Sequence, residues 1–252
     1  MPNYLFLFDV DGTIAKSSKK IDDFVLNLLL KNKNENYYFG LVSGGKYNKI
    51  IDQIGKNFIL DKNPLFDYVF CENGMVGYHK NSLILNKNLK EFYSDVQLKE
   101  ILNFIKFETK DFIYDNEYQK FEIRNSLIYF SPVGIDSDDL TREKFINKDI
   151  KFKVRENIIS ILGKKLFEKY NFKITLGGEL GFAIIPSNWD KSYFIRNQII
   201  DFGKYDKVYF FGDRCNINGN DYEIYSHPLT TGYHVKNPED TFNILKNIFK
   251  KN

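Results

Sequence analysis

The 252-residue chain carries 36 Lys plus Arg against 33 Asp plus Glu, a net charge of +3, with 43% hydrophobic and 27% charged residues. So balanced a charge, with no clustered basic and aromatic stripe, excludes a nucleic-acid or anionic-membrane surface and leaves small anionic substrates such as phosphate esters open. The 24 Phe and 17 Tyr supply a sizeable core for one large or two modest domains and exclude disorder, while two cysteines far apart, Cys71 and Cys215, indicate neither a disulfide framework nor a zinc site and fit a reducing cytoplasm.

Tyr4 to Phe8 reads as a buried strand; its apolar run is broken at Asp9, too soon for a signal peptide or a membrane span. The strand ends in Asp9-Val10-Asp11-Gly12-Thr13, and Ile21 to Leu30 then shows apolar residues at helical spacing. Tyr37 to Val42, closed by Ser43-Gly44-Gly45, precedes a helix with Ile50, Ile51 and Ile54 on one face, and Tyr68-Val69-Phe70 opens a third unit. This alternation argues for a parallel sheet with helices on both faces. After about Gly77 the pattern changes to an antiparallel α+β style. Val96 to Ile105 and Glu156 to Tyr170 read as amphipathic helices. Lys120 to Phe130, Phe172 to Leu176 and Phe182 to Ile185 read as strands, with Gly177, Gly178 and Gly181 marking a turn or bulge. Asp136-Ser137-Asp138-Asp139 caps the helix or loop that follows. The βα style returns with a helix over Lys191 to Ile200, a strand Lys207 to Phe211 running into Gly212-Asp213, the segment Gly232 to Val235 and a helix from Glu239 to Phe249. The expected fold class is therefore α/β, a parallel-sheet core of residues 1–83 and 187–252 interrupted by an α+β domain with an antiparallel sheet at 84–186.

In parallel α/β sheets ligands sit at the carboxyl ends of the strands, so Asp9 and Asp11, directly after the first strand, point to an active crevice. A carboxylate there can attack a phosphoryl group, and its neighbour can hold the proton of the attacking or leaving hydroxyl. The same letters would also serve as a plain turn or helix cap. Against that stands Asp213, likewise at a strand end, with Gly219-Asn220-Asp221 shortly after it. Asp9, Asp11, Asp213, Asn220 and Asp221 form an oxygen-rich set suited to Mg²⁺. Lys191, after Trp189-Asp190, is the candidate cation for the nucleophile and the phosphoryl oxygens.

Asp9-Val10-Asp11-Gly12-Thr13, the Ser43 strand end, Lys191 and Gly212-Asp213 resemble the ordered motifs of the haloacid dehalogenase superfamily. The intervening segments resemble its eukaryotic-type phosphomannomutases. Asp67 to Gly74, Phe121-Glu122-Ile123-Arg124-Asn125, Ser131-Pro132-Val133-Gly134, Leu176-Gly177-Gly178, Trp189-Asp190-Lys191, Pro228 to Tyr233 and Pro238 to Thr241 carry this resemblance nearly end to end. It implies a Rossmann-like core with an inserted cap, Asp9 as the phosphorylated nucleophile, Asp11 as general acid/base, and Mg²⁺ on Asp9, the Asp11 carbonyl and Asp213. It further implies Arg124 and Arg142 as the grip on the distal phosphate, where guanidinium matches phosphate bidentately, and Ser43, Gly44, Asn125 and Gly178 as substrate contacts. A hexose 1,6-bisphosphate activator, a homodimer joined through the caps and a cytoplasmic location follow from the same likeness.

The chain also departs from that pattern. Ser18 stands where the family has an Arg after the first motif, and Ile135 where it has another cap Arg. Gly181-Phe182-Ala183 aligns with a Ser-Phe-Asp whose polar side chains contact the substrate, and Lys16, Lys19, Lys120 and Glu179 are positional candidates to replace what is missing. A second cation loop falls on Tyr225, His227 and Thr230, where His is a poor ligand for a hard ion. Three readings follow: a Mg²⁺-dependent phosphomannomutase interconverting mannose 1-phosphate and mannose 6-phosphate, a sugar-phosphate phosphatase favoured by Ser43 and the lost cap contacts, and a catalytically silent binding protein. Retention of Asp9, Asp11, Lys191 and Asp213 speaks against the third, and the nearly end-to-end resemblance places the mutase first.

Overall fold

Leu5, Phe6, Leu7 and Phe8 are completely buried in the computed structural model, which describes residues 2–251. Side chains alternate across a strand, so an unbroken apolar run fits only where both faces of the sheet are covered. Phe6 and Phe8 enter a hydrophobic cluster with Val25, Leu29 and Leu245, whereas Leu5 and Leu7 enter another with Val42, Phe194 and Phe210. Burying each such side chain stabilises the fold by roughly 1.5–3 kcal/mol.

The chain runs through β1 (Tyr4–Phe8), α1 (Asp23–Asn32), β2 (Tyr37–Val42), α2 (Tyr47–Ile54), α3 (Lys56–Leu60), β3 (Tyr68–Cys71), β4 (Val76–His79) and β5 (Ser82–Asn86). Then follow α4 (Asp95–Thr109), β6 (Phe121–Ile123), β7 (Ile128–Phe130), α5 (Asp139–Phe152), α6 (Val154–Tyr170), β8 (Phe172–Gly177) and β9 (Gly181–Pro186). Last come α7 (Tyr193–Arg196), β10 (Lys207–Gly212), α8 (Tyr222–Tyr225), β11 (Thr231–His234) and α9 (Pro238–Lys251). Two compact units result: the residues up to Asn86 with those from Trp189 onward, and Lys87–Asn188. Among the described residues no helix is long and apolar enough to cross a membrane.

The first unit holds a seven-stranded sheet in the order β11-β10-β1-β2-β3-β4-β5. Neighbouring strands from β11 to β3 are parallel, and β4 and β5 extend the edge as an antiparallel hairpin. β1 is central, with β2 on one side and β10 on the other, so successive connections leave in opposite directions. Such a switch point opens a crevice beyond the carboxyl ends of β1 and β10. The Asp9 N–H donates to Phe211 O at 2.9 Å and fixes the two strand ends side by side.

The second unit is a four-stranded antiparallel sheet, β6-β7-β9-β8, with α6 packed on β8 and α4 on α6. Phe121, Phe130 and Phe182 stack across neighbouring strands at 4.6 and 5.3 Å between centroids. α4 begins in a full capping box between Ser94 and Gln97. The acidic patch at 136–139 does cap a helix: Asp138 accepts from the Thr141 N–H at 2.8 Å.

Some elements differ from the sequence expectation. The single strand over 120–130 is two, because Arg124-Asn125-Ser126-Leu127 closes a turn in which the Arg124 N–H donates to Leu127 O; Asn and Ser favour turns through their side-chain bonds to backbone. The helix expected over 191–200 survives only as α7, since Gln198 takes a left-handed φ of 50° and the chain turns there. The hairpin of β4 and β5 belongs to the parallel sheet of the first unit, and its two turn residues, Lys80 and Asn81, both have positive φ, as a two-residue type I′ connection requires.

Candidate active site

Asp9 emerges from β1 with its side chain buried, and Lys191 Nζ donates to its Oδ1 at 2.6 Å. The same ammonium donates to Asp221 Oδ1 at 2.7 Å. Lys191 has no solvent exposure, so its charge is met by protein groups alone. Burial opposes that charge, but the Asp221 and Asp9 carboxylates outweigh it and hold the ammonium above its usual pKa. Asp221 is anchored in turn by the Arg214 N–H on its other oxygen at 2.9 Å.

Carboxylate oxygens of Asp9, Asp213 and Asp221 lie within 4.8 Å of one another. Close approach of the loop after β1 to Asp213 depends on Gly12, which has φ +86° and where a Cβ would stand 2.7 Å from Asp213 Oδ2. Burial raises the Asp9 carboxyl well above the ordinary range despite Lys191, with Asp221 and Asp213 adding to the rise. Burial, then Asp221, pushes Asp213 up to about 7 against the opposing pull of Arg214 and Lys191. Three carboxylates around one buried ammonium leave a deficit of positive charge. All the donors are hard oxygens, the chemistry of a magnesium site, so the residues present fit a divalent cation.

Asp11 is placed differently from Asp9. Its carboxylate accepts from Lys49 Nζ at 2.6 Å, Gln53 Nε2 at 2.8 Å and the Ser18 N–H at 2.7 Å. Burial disfavours its charge, yet Lys49 and these three donors together hold its carboxyl below the usual value. The sequence alone does not single out Lys49 and Gln53; they lie four residues apart on α2 and so share one face of that helix. Together with Ser18, Lys19, Lys20 and Asp52 they line an open cavity of about 480 Å³.

Ser43 is buried at the end of β2, its Oγ accepting from the Gly45 N–H at 3.1 Å. A Cβ at Gly44 would meet Asn73 Oδ1 at 3.1 Å and Asn220 Nδ2 at 3.4 Å, and Asn220 donates to Asn73 Oδ1. Asn73 was not anticipated either; its left-handed φ of 58° is invisible in a residue list. Tyr225 and Thr230 fall in a separate loop, where Thr230 Oγ1 is directed to Ile224 O at 2.6 Å and His227 O at 2.9 Å. His227 Nδ1 accepts from the Leu229 N–H.

Arg124, Asn125, Arg142 and Gly178 belong to the second unit. Arg124 Nε pairs with Glu122 Oε2 at 2.6 Å, and its guanidinium lies 4.3 Å from the Tyr129 ring centre. Asn125 Nδ2 donates to Lys87 O. Arg142 donates from Nε to Ser137 O at 2.9 Å and from one terminal nitrogen to Ile135 O at 3.1 Å, so part of its fork organises its own loop. Gly178 O accepts from Arg155, which also pairs with Asp149 at 2.7 Å. Of the positional candidates for missing contacts, Lys120 is bonded to Tyr118 O and Asn116 O.

A parallel sheet with a buried Asp–Lys–Asp centre at its switch point, its chain interrupted by a separate antiparallel α+β unit, defines an enzyme of the haloacid dehalogenase type. The chain belongs to the eukaryotic phosphomannomutase family, whose model matches residues 25–251. It is 36% identical over 251 residues to phosphomannomutase 2 of Dictyostelium discoideum, covering 99% of this chain and 98% of the relative. It is 35% identical over 242 residues to a phosphomannomutase of Dendrobium officinale, covering 96% and 92%. Among solved structures, the fold is similar to an N-terminally truncated, IMP-bound IMP-nucleotidase of Plasmodium falciparum at TM-score 0.62 and 17% identity, over 99% of this chain and 68% of that one. A trehalose-6-phosphate phosphatase of Aspergillus fumigatus matches at TM-score 0.53 and 14% identity, over 100% and 94%.

Proposed function

We propose that the chain is a phosphomannomutase that interconverts mannose 1-phosphate and mannose 6-phosphate through a phosphorylated Asp9. The observation that carries this is the pairing of a buried carboxylate with a buried ammonium, Asp9 with Lys191, at the switch point of the sheet. In the first step the free sugar hydroxyl attacks the phosphorus of phospho-Asp9: the new O–P bond forms, the bond to Asp9 Oδ breaks, and Asp11 takes the hydroxyl proton. The resulting hexose 1,6-bisphosphate then presents its other phosphate to Asp9, which captures that phosphoryl group while Asp11 returns the proton to the leaving sugar oxygen. Because Lys49 and its neighbours keep Asp11 ionised, it starts this cycle ready to accept. Lys191 balances charge on Asp9 throughout.

Asp9, the Asp11 carbonyl, Asp213, Asn220 and Asp221 are the groups proposed to hold Mg²⁺. When bound, the ion supplies positive charge to the transferring phosphoryl oxygens. Ser43 and Gly44 are proposed to meet the transferring phosphate, Arg124 and Arg142 the substrate's other phosphate, and Asn125 and Gly178 the sugar. The same reading includes activation by a hexose 1,6-bisphosphate, a peripheral cation at Tyr225 and Thr230, a homodimer through the second unit and a cytoplasmic setting. Phosphorus NMR of the protein with mannose 1-phosphate, Mg²⁺ and a trace of hexose 1,6-bisphosphate tests it, with Asp9→Asn as control. Mannose 6-phosphate is expected to accumulate and to vanish in the control. Inorganic phosphate alone would make the chain a sugar-phosphate phosphatase, the outcome that Ile135, Gly181 and Ala183 favour by lacking polar side chains.

A further inference from the structure

We propose that Asn73 is a positioning residue of the cation site: its side-chain oxygen holds the nitrogen end of the Asn220 amide and so leaves Asn220 Oδ1 as the end that meets Mg²⁺. This rests on the magnesium-dependent reading above and names a residue that prepares one of the proposed ligands. Asn73 Oδ1 accepts from Asn220 Nδ2 at 3.3 Å, and both side chains are buried, with exposures of 1% for Asn73 and 8% for Asn220. A carboxamide carries its donors on one atom and its lone pairs on the other, so an acceptor that captures the nitrogen decides which way the oxygen is presented. Hard cations take oxygen ligands; an Asn220 turned the other way would offer the ion only N–H groups.

The backbone around Asn73 is held in an unusual conformation to make this contact. Glu72, Asn73 and Gly74 take left-handed φ values of 47°, 58° and 84° in succession. For a residue with a Cβ that conformation costs roughly 1–2 kcal/mol, and it persists only where the surroundings over-determine it. Here the surroundings are the site itself. The Glu72 N–H donates to Gly45 O and the Asn73 N–H to Ser43 O, both at 3.0 Å, which docks the turn on the loop after β2. A Cβ at Gly74 would stand 3.3 Å from Lys191 Cα, so the turn also abuts the lysine that joins Asp9 to Asp221. A Cβ at Gly44 would crowd both amides, at 3.1 Å from Asn73 Oδ1 and 3.4 Å from Asn220 Nδ2, and the glycine keeps room for their contact.

A second observation bears on why the residue is an asparagine. Asn73 Nδ2 is buried and has no hydrogen-bond partner, a state that costs about 1–3 kcal/mol and is rare. The nitrogen therefore adds nothing to the fold, and the oxygen is what this position uses. Aspartate would supply the oxygen without the unmatched donor. It would also bring one more carboxyl to the neighbourhood of Asp9, Asp213 and Asp221, where burial and like charges already push Asp9 and Asp213 upward. The neutral amide orients Asn220 without adding to that repulsion.

Calorimetric titration with Mg²⁺ of the parent, Asn73→Gly, Asn220→Ala and the double variant tests the assignment, with Asp213→Asn locating the ion. Glycine adopts the left-handed conformation without strain, so Asn73→Gly is expected to melt close to the parent in chelator. It is expected to weaken Mg²⁺ about 10-fold, the effect of removing a ligand's support, and Asn220→Ala at least as much. The double variant is expected to lose no more than Asn220→Ala alone, because Asn73 acts only through Asn220. Parent-like affinity in Asn73→Gly, or losses that multiply in the double variant, would overturn the proposal. Should Asn73→Gly not fold, Asn73→Asp takes its place: its carboxylate can accept from Asn220 in the same way, so it is expected to bind Mg²⁺ at least as tightly as the parent, and a 10-fold loss would overturn the proposal. A parent that binds no Mg²⁺, or whose affinity survives Asp213→Asn, would overturn it together with the magnesium reading. If the affinities behave as expected while no phosphoryl group reaches Asp9, the enzymatic reading fails and this one stands.

Discussion

Lys191 and Asp9 respond oppositely to neutralisation. Lys191 is the buried cation shared by Asp9 and Asp221, and removing one partner of a buried ion pair strands the other charges, at a cost of about 3–5 kcal/mol. Asp9 is itself destabilised as an anion by burial and by its acidic neighbours, so an uncharged isostere relieves the centre. Lys191→Met is thus expected to lower unfolding stability by several kcal/mol, whereas Asp9→Asn is expected to leave it equal or raised, with phosphoryl capture abolished in both. Urea denaturation of the two variants without metal checks this, and a more stable Lys191→Met than Asp9→Asn would contradict the charge argument. Each of the carboxylates and the lysine taken alone would pass for a turn, a cap or a surface charge; they were legible only as an ordered set, Asp residues at two strand ends with a Lys between them in sequence. Lys49, Gln53 and Asn73 were not, since their importance lies in contacts such as Gln53 Nε2 to Asp11 Oδ1 and Asn220 Nδ2 to Asn73 Oδ1. Pairings between residues distant in sequence leave no local pattern.

At the level of elements, hydrophobic patterning worked where burial is two-sided and failed where a few side chains redirect the chain. β1, β2 and β10 read correctly because nearly every residue in them is buried. α7 was overextended: Asp190 Oδ1 accepts from the Ser192 N–H and from Arg196, tying a short turn together, and the apolar residues Ile199 and Ile200 beyond it continued the helical spacing without continuing the helix. The contrast between a strand held by packing and a helix start held by a cap gives a graded expectation. Phe6→Ala removes a wholly buried ring from the central strand and should cost about 3–5 kcal/mol. Ser94→Ala removes the solvent-exposed cap of α4 and should cost about 1 kcal/mol. Unfolding of each variant, followed by circular dichroism, is expected to show this order; comparable losses would mean that the capping box matters as much as core burial here.

Across the whole molecule, a net charge of +3 conceals a local excess of negative charge at the strand ends, and that local excess sets how stability responds to pH and metal. Burial, then Asp221, pushes the Asp213 carboxyl up to about 7 in the folded protein, against about 3.9 in an unfolded chain. A carboxyl whose folded pKa is raised contributes stability that is fully present below the unfolded value and is lost as pH rises through the folded one. Without metal, its contribution therefore falls between about pH 4 and pH 7, and Asp9, shifted in the same direction, adds to the loss. A divalent cation binds the ionised carboxylates and not the protonated ones, so its stabilisation runs the other way and grows with pH. At about 100 times its dissociation constant it would add roughly 2.7 kcal/mol, which for a chain of this size corresponds to a melting shift of roughly 5–10 °C. Melting curves in chelator and in Mg²⁺ at pH 5 and pH 8 are expected to show most of that shift at pH 8 and little at pH 5. In Asp213→Asn the loss between the two pH values should shrink and the Mg²⁺ shift should diminish with it. Equal Mg²⁺ shifts at both pH values, or a full shift in Asp213→Asn, would mean that the ion acts somewhere other than the Asp9, Asp213 and Asp221 centre.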